Sequence, residues 1–104
     1  MDAAGVMGAP DDIIHQPIRL RVMAALTAPA CEDEGLDFTR LKKLTGATDG
    51  NLRAHIDHLA RANYVDVTKA FVGRRPRTSV KATGEGRSAF ARHGAFLKEI
   101  IAES

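Results

Sequence analysis

Apolar residues recur every three or four positions through most of this 104-residue chain, a spacing typical of helices with one buried face. The first such series follows two acids and contains Ile18 and Val22. Pro17 suits the first turn of a helix, where its missing N–H is not needed. We therefore predict a short turn over 11–15 and a main first helix over 17–28.

A second and a third helix are predicted on either side of a very short connection. Thr39 is a candidate N-cap for the second helix, which Gly46 would end by adopting a left-handed conformation. Thr48 would cap the third helix, over 49–62. Because so few residues join the two helices, they must cross at a large angle, as in a helix-turn-helix unit. The buried stripe of the third helix consists of Leu52, Ile56 and Leu59.

Downstream of the third helix, apolar residues alternate with polar ones, which predicts two strands, over 65–71 and 77–82. The segment VGRRP, at 72–76, separates them, and its Gly73 permits a tight hairpin turn with two arginines at the tip. Alternation over 36–38 predicts a further, very short strand ahead of the second helix.

The last helix is predicted over 84–102, with Thr83 as its N-cap. Its apolar stripe is too long for a small three-helix core to cover together with the first helix. A second copy of the chain could cover both. The residues that we predict at this homodimer interface are Ile14, Ile18, Phe90, Leu97 and Ile101. A monomer whose last helix folds back on its own core is the alternative.

The composition is that of a globular protein, with 44% hydrophobic and 27% charged residues. We predict one domain over 11–104, behind a flexible N-terminal segment over 1–10. Cys31 is the only cysteine, which excludes an internal disulfide and a zinc site built from several cysteines, and favours the reducing cytoplasm. No apolar run approaches the roughly 18 residues of a membrane span. The first ten residues contain no Lys or Arg, unlike a signal peptide.

The net charge of +2 conceals an asymmetry along the chain. Residues 1–37 contain two basic and seven acidic residues, whereas residues 38–104 contain thirteen basic and six acidic ones. The predicted hairpin adds to this, because residues 64–83 hold five basic residues and one acid. Such a surface favours a polyanion as partner. The alternative is a charged hairpin that only keeps its edges soluble.

Three segments of the chain resemble small winged-helix transcriptional regulators, related to the multiple-antibiotic-resistance and arsenic-repressor groups. They are IHQPIRLRVMAAL at 14–26, LDFTRLKKLTGATDGNLRAHIDHLARANYVDV at 36–67, and FVGRRPRTSVKATGEGR at 71–87. The resemblance implies an α+β, mainly helical fold: a helix, a short strand, two helices, a two-stranded wing and a C-terminal helix. It also implies that the third helix enters the DNA major groove and that the terminal helices form a homodimer.

The outer face of the third helix carries chemistry that suits DNA. Gly50 and Ala54 would let the backbone approach the base edges, while Asn51 suits adenine and Arg53 suits guanine or phosphate. The candidate DNA-binding residues are Thr48, Gly50, Asn51, Arg53, Ala54, His58, Arg74, Arg75 and Arg77. An ordinary capped helix with a solvated face is the alternative, and the outward carboxylate of Asp57 favours it, because phosphates repel a carboxylate.

Other chemistries find little support in the sequence. His55 and His58 have helical spacing for a shared metal, but two ligands are too few. No motif of a nucleophile with its base, of paired carboxylates, or of a phosphate loop is present. We therefore predict no enzyme activity, metal or cofactor. Our hypothesis is a homodimeric repressor that reads a palindromic operator, with room for a small-molecule effector at the dimer interface. A winged-helix module that binds protein or RNA is the alternative.

Overall fold

The computed structural model describes residues 8–29 and 34–103; Cys31 lies outside them. Within those residues the chain forms five α-helices and one small antiparallel sheet, in the predicted order. The helices are α1 (Asp12–His15), α2 (Pro17–Leu26), α3 (Phe38–Thr45), α4 (Asp49–Arg61) and α5 (Gly84–Glu103). The strands are β1 (Leu36–Asp37), β2 (Val65–Val72) and β3 (Arg75–Ala82). The predicted α+β, mainly helical architecture is confirmed.

The first two helices begin where their capping chemistry indicates. The carboxylate of Asp11 accepts hydrogen bonds from the N–H groups of Ile13 and Ile14 and so starts α1. Pro17 occupies the first position of α2, as predicted. That helix ends at Leu26, two residues before the predicted end, and the Thr27 hydroxyl donates to a carbonyl of its last turn.

The helix-turn-helix unit has the predicted turn but a different first cap. Gly46 follows α3 in the left-handed conformation, with φ 71°, and the Thr48 hydroxyl accepts from the Asn51 N–H at 3.2 Å. The N-cap of α3 is Asp37, whose carboxylate accepts from the Arg40 N–H at 2.7 Å. The prediction of Thr39 as this cap is therefore wrong, because the helix already begins at Phe38.

The core lies between the helices and the inner face of the sheet. It contains aliphatic side chains from α1 to α5, β2 and β3, without a buried Phe or Trp. The wholly buried members are Ile14, Val22, Met23, Leu26, Leu41, Leu52, Leu59 and Val80. Because Ile14 is fully covered inside one chain, its prediction as a dimer contact is corrected. Ile18 and Phe90 are half-buried and pack against the same core.

The sheet has the strand order β1-β3-β2, with all neighbours antiparallel. The sequence indicated a hairpin and a separate short strand; in the structure β1 pairs with β3, at Val80 and Ser79. The hairpin is longer than predicted, since Val72 pairs with Arg75 and only Gly73 and Arg74 form the turn. We call the outer, two-stranded part of this hairpin, residues 69–78, the wing.

A close approach of two backbones joins the end of α4 to the start of α5. Asn63 adopts a left-handed φ of 64° after α4, and Tyr64 N–H donates back to the Leu59 carbonyl at 2.9 Å, so the helix ends in a Schellman motif. Thr83 caps α5, as predicted, by accepting from the Gly86 N–H at 2.9 Å. A Cβ on Gly86 would lie 2.1 Å from the Tyr64 carbonyl oxygen, so this position requires glycine.

The cover that the described residues give the last helix decreases along its length. Ala89 and His93 are buried, whereas Ile101 is 73% exposed. The described chain starts within the predicted flexible segment, and the Ala9 N–H donates to the Arg92 carbonyl of α5 at 3.1 Å. None of the helices in the described ranges is long and apolar enough to cross a membrane.

Candidate nucleic-acid interface

The outer face of α4 is open and nearly bare at its N-terminal end. Gly50 and Ala54 are exposed, and a Cβ placed on Gly50 would have no neighbour within 4 Å. Asn51 and His58 are also exposed on this helix, to one side of the bare strip. The backbone of α4 can therefore come close to a flat partner without steric hindrance from its own side chains.

A groove of about 850 Å³ separates this face of α4 from the wing. Apolar residues of α4, β2 and the start of α3 form the floor of the groove. Three charged side chains lie around this floor. The lining residues are Phe38, Gly50, Arg53, Ala54, Ile56, Asp57, Ala60, Val67, Lys69 and Thr78. A second hollow, of about 370 Å³, shares Phe38, Arg53, Lys69 and Thr78 with the groove and adds Arg77.

Two cations face each other across this groove from different elements. The guanidinium of Arg53, on α4, lies 4.9 Å from the centre of the Phe38 ring, a cation–π contact that fixes the side chain at the groove edge. Lys69 lines the opposite side, from β2. The groove thus offers positive charge on both walls and apolar surface between them, which suits a sugar-phosphate strand.

The acids of α4 are neutralised by neighbouring cations. Asp57, which argued against DNA binding, forms an ion pair with Arg61 one turn later. Asp49 bonds Lys42 of α3 at 2.6 Å, and this hydrogen bond lowers the pKa of the Asp49 carboxyl. Both pairs are exposed, so their effect on stability is small. Their effect on the surface is to reduce the repulsion that two uncompensated carboxylates would exert on phosphates.

Arginines of α2 hold the two helices of the helix-turn-helix unit from behind. Arg19 Nη1 lies 3.1 Å from His55 Nδ1 on α4, and its Nε donates to the Ile13 carbonyl. Arg21 Nη1 donates to the Thr45 carbonyl, at the end of α3, at 3.3 Å. Burial, and then the charge of Arg19, lower the pKa of His55. A neutral His55 can accept the Arg19 hydrogen bond, and a protonated one cannot.

The wing carries the strongest positive charge of the described surface. Lys69, Arg74, Arg75 and Arg77 lie within nine residues that contain no acid. Arg74 stands in the turn, while Arg75 is the first residue of β3 rather than part of the turn. Arg77 is partly engaged, since its guanidinium lies 3.4 Å from the Asp37 carboxylate at the start of α3.

The structure brings together some of the predicted site residues and separates others. Gly50, Arg53 and Ala54 line the groove, and Arg77 lines the adjoining hollow. The remaining candidates are exposed, outside the groove: Thr48, Asn51 and His58 on or beside α4, and Arg74 and Arg75 at the end of the wing. Sequence reasoning missed Lys69 as a groove residue, although it shares the alternating face of Val65 and Val67.

A polar cluster lies on the far side of the core, where α1 meets α5. The Tyr64 hydroxyl donates to the Asp11 carboxylate at 2.6 Å, and the Asp11 N–H donates to His93 Nδ1 at 3.1 Å. Burial, followed by the bond to Asp11, raises the pKa of Tyr64 to about 12. Burial raises the pKa of Asp11, but the bonds from Tyr64 and two backbone N–H groups outweigh it, so the net shift is downward.

Histidine and acidic side chains do not gather into a metal centre in the described part of the chain. No group of three or more His, Cys, Asp or Glu residues there could hold a metal ion. His55 is half-buried and His58 is exposed, and His55 already bonds Arg19. His55 therefore helps to hold α4 in position.

Comparison with known proteins identifies the family. A family model described as a winged helix DNA-binding domain matches residues 18–101, which include the whole helix-turn-helix unit and the wing. The chain belongs to this family. The match also covers α5 almost to its end, so the predicted resemblance to winged-helix regulators is confirmed over most of the chain.

Individual relatives agree with the family assignment. A transcriptional regulator homologue from Pyrococcus horikoshii superimposes with a TM-score of 0.76 at 32% identity, over 88% of this chain and 86% of that one. The PcaV transcriptional regulator from Streptomyces coelicolor shares the fold, with a TM-score of 0.73 at 20% identity over 90% of this chain and 62% of its own. An uncharacterized protein of Methanocaldococcus jannaschii is 31% identical over 89 residues, 86% of this chain and 89% of its own.

The family and the geometry define the general function. The winged-helix protein is a DNA-binding protein of transcription regulation, and not an enzyme. Its helix-turn-helix unit and wing lie on either side of one groove, with cations on both walls. DNA is therefore its partner.

Proposed function

We propose that the winged-helix protein is a homodimeric repressor that reads a palindromic operator. In this proposal α4 lies in the major groove, with Asn51 and Arg53 at base edges and Gly50 and Ala54 giving clearance. The free N–H groups near Thr48 and the arginines of the wing hold phosphates. The groove between α4 and the wing carries the proposal, because it is shaped and charged to take one sugar-phosphate strand.

Exposed apolar surface on α5 supports the homodimer. Leu97 is half-buried, whereas Ile101 on the same stripe is 73% exposed, so the described residues leave the end of this 20-residue helix largely uncovered. Burial of such a stripe against a twin chain is favourable and places two copies of α4 symmetrically. Two α4 helices about one DNA turn apart would then read a palindrome.

Repression follows most simply from occupation of the operator, because the described chain consists of the DNA-binding unit and its flanking helices. A small-molecule effector would act at the dimer interface or between that interface and the helix-turn-helix unit. The PcaV regulator, which has the same fold, is known in complex with its natural ligand. A ligand that changed the angle between the two subunits would change the spacing of the two α4 helices and so release DNA.

Two sets of variants test the docking geometry. Arg74→Ala combined with Arg75→Ala should weaken binding to all DNA sequences similarly and reduce the salt slope of the homodimer by about four, because two arginines are lost from each subunit and phosphate contacts carry no sequence information. Asn51→Ala or Arg53→Ala should instead change which sequence is preferred, at about 1–3 kcal/mol per base contact. The affinity of each variant is measured for a pool of random duplexes and for the sequence selected from that pool.

Two results would contradict the proposed docking. A wing double variant with unchanged affinity and salt slope would show that the wing lies away from the DNA. Unchanged sequence preference in both α4 variants would show that α4 does not read bases. Lys98→Ala, on the exposed side of α5 and far along the chain from both elements, serves as the matched charge control.

A further inference from the structure

The outer end of the wing exposes apolar side chains that no part of the described chain covers. Phe71 is 73% exposed and its neighbour Val72 is 57% exposed. Most large apolar side chains of the described residues are buried or half-buried, so an aromatic ring in water at the end of a narrow hairpin is unusual. Exposed apolar surface of this kind marks a place of contact with another molecule.

Phe71 lies on the face of the wing that is turned towards α4. Side chains of a strand alternate between faces, so Phe71 shares its face with Val67 and Lys69, which line the groove beside α4. Exposure rises outwards along this face, from 2% at Val65 to 39% at Val67 and 73% at Phe71. Phe71 therefore continues the apolar floor of the groove beyond its outer edge.

The shape of the wing at this point is that of a thin ribbon. Phe71 stands opposite Pro76, one pair from the closing pair of a two-residue turn whose Gly73 has a φ of 64°. The third strand, β1, pairs with β3 only at Ser79 and Val80, so the outer hairpin is two-stranded. A two-stranded ribbon with a ring at its end is narrow enough to enter a DNA minor groove, roughly 6 Å wide, when the groove is opened.

The charge around the ring identifies the partner. Arg74 and Arg75 follow Phe71 within four residues, and Lys69 precedes it on the same face, with no acid in this segment. An apolar ring with Lys69 on its own face and two arginines at the adjoining end of the ribbon suits the mixed surface of a minor groove, with phosphates at its rims and sugars and bases between them. The proposed function also puts DNA on this side of the molecule, at α4 and the groove.

We propose that Phe71 is an apolar wedge that the wing inserts into the minor groove, where it partly unstacks one base step. This inference rests on the proposed function, since it requires α4 in the adjacent major groove. It adds a source of specificity without hydrogen bonds to bases. Pyrimidine–purine steps, TA and CA/TG, unstack most easily, so the operator should carry one of them under each wing.

The test uses a duplex that the wild-type protein selects from a random pool, with 2-aminopurine substituted at successive positions. The wild-type protein should raise 2-aminopurine fluorescence at one step per half-site, because unstacking relieves quenching. Phe71→Ala should abolish this rise and weaken binding about tenfold, with an unchanged salt slope because no charge is removed. Phe71→Leu should keep part of both effects. Val72→Ala, an equally simple truncation on the other face of the strand, should bind within about twofold of wild type.

The outcomes separate this inference from the proposed function. If the wild-type protein selects no DNA, both fail. If it selects a palindrome but Phe71→Ala binds and unstacks as wild type does, the wedge is wrong and the proposed function stands. The thermal midpoint of the Phe71→Ala protein is also measured without DNA. If its loss of folding stability is as large as its loss of binding, the ring only stabilises the hairpin, and the inference is overturned.

Discussion

Single residues fix the position of α5 relative to the helix-turn-helix unit. The sequence offered no reason for two glycines at the start of this helix, but the structure separates their roles. Gly86 packs directly on the Tyr64 carbonyl, whereas a Cβ on Gly84 would meet nothing within 4 Å. No pattern in one sequence distinguishes the two, because the close approach joins segments more than twenty residues apart.

Gly86→Ala should destabilise the fold by roughly 1–3 kcal/mol, because its methyl group would overlap a backbone oxygen that cannot rotate away. Gly84→Ala is the matched control and should be neutral or stabilising by up to about 1 kcal/mol, since it adds helix propensity in open space. Urea unfolding followed by circular dichroism measures both. Equal stability of the two variants would contradict the close packing of α5 against Tyr64.

At the scale of helices and strands, the sequence predicts features that depend on neighbouring residues, but not those that depend on tertiary packing. The four longer helices, their order and the caps at Thr48 and Thr83 were predicted from local chemistry, which acts within a few residues, and the predicted short turn over 11–15 contains the one-turn helix α1. The start of α3 was misplaced because Asp37 and Thr39 are both good caps, and tertiary pairing of β1 with β3 decides between them. The groove could not be predicted, since it needs the angle between α4 and the wing.

The packing of the helices also decides which of the predicted dimer-interface residues are exposed. The periodicity of α1 and α5 shows only that one face is apolar, and not whether the same chain covers it. Ile14 and Ile101 have the same apolar side chain, yet Ile14 is a core residue and Ile101 is exposed. Burial in a small domain depends on how far the helix extends past its own core, which is a property of the assembled elements.

The docking of α4 on α2 should depend on pH through His55. Its pKa is lowered in the folded state, so the unfolded chain binds this proton more readily. The stabilising contribution is present in full above the unfolded pKa, about 6.5, and is lost as pH falls through the lower folded value. Unfolding free energies in urea at pH 7.5 and pH 5.5 should therefore differ more for wild type than for His55→Gln.

His58→Gln is the control for this measurement, because His58 is an exposed histidine on the same helix. It should retain most of the wild-type dependence on pH, because the charge of His58 is the smallest of the three causes that lower the pKa of His55. If His55→Gln loses as much stability as wild type on acidification, the bond between Arg19 and His55 does not govern the docking of α4.

At the scale of the whole molecule, the cationic groove and the exposed apolar stripe belong to different parts of the fold. The groove and wing lie on one side, and the uncovered end of α5 extends from the core. The structure has principal dimensions of 51 × 25 × 23 Å, so it is elongated rather than spherical. An elongated monomer with apolar surface at one end and cations at another part suits a dimer that spans two half-sites.

Ile101→Glu should convert the proposed dimer to a monomer, because it places a charge in the apolar stripe of α5. Leu44→Glu, at a 50% exposed apolar position on α3, is the control and should leave the dimer intact. Sedimentation equilibrium measures the mass of each. A wild-type protein that sediments as a monomer at tens of micromolar would contradict the homodimer.

Binding of the wild-type protein to genomic DNA fragments at 50 and 200 mM salt tests whether α4 and the basic wing together read a specific DNA sequence. We expect enrichment of a palindrome at both concentrations. With about four phosphate contacts, affinity should fall about 100-fold between the two concentrations. Binding of all fragments alike, or of none, would contradict sequence-specific reading by α4 and the wing.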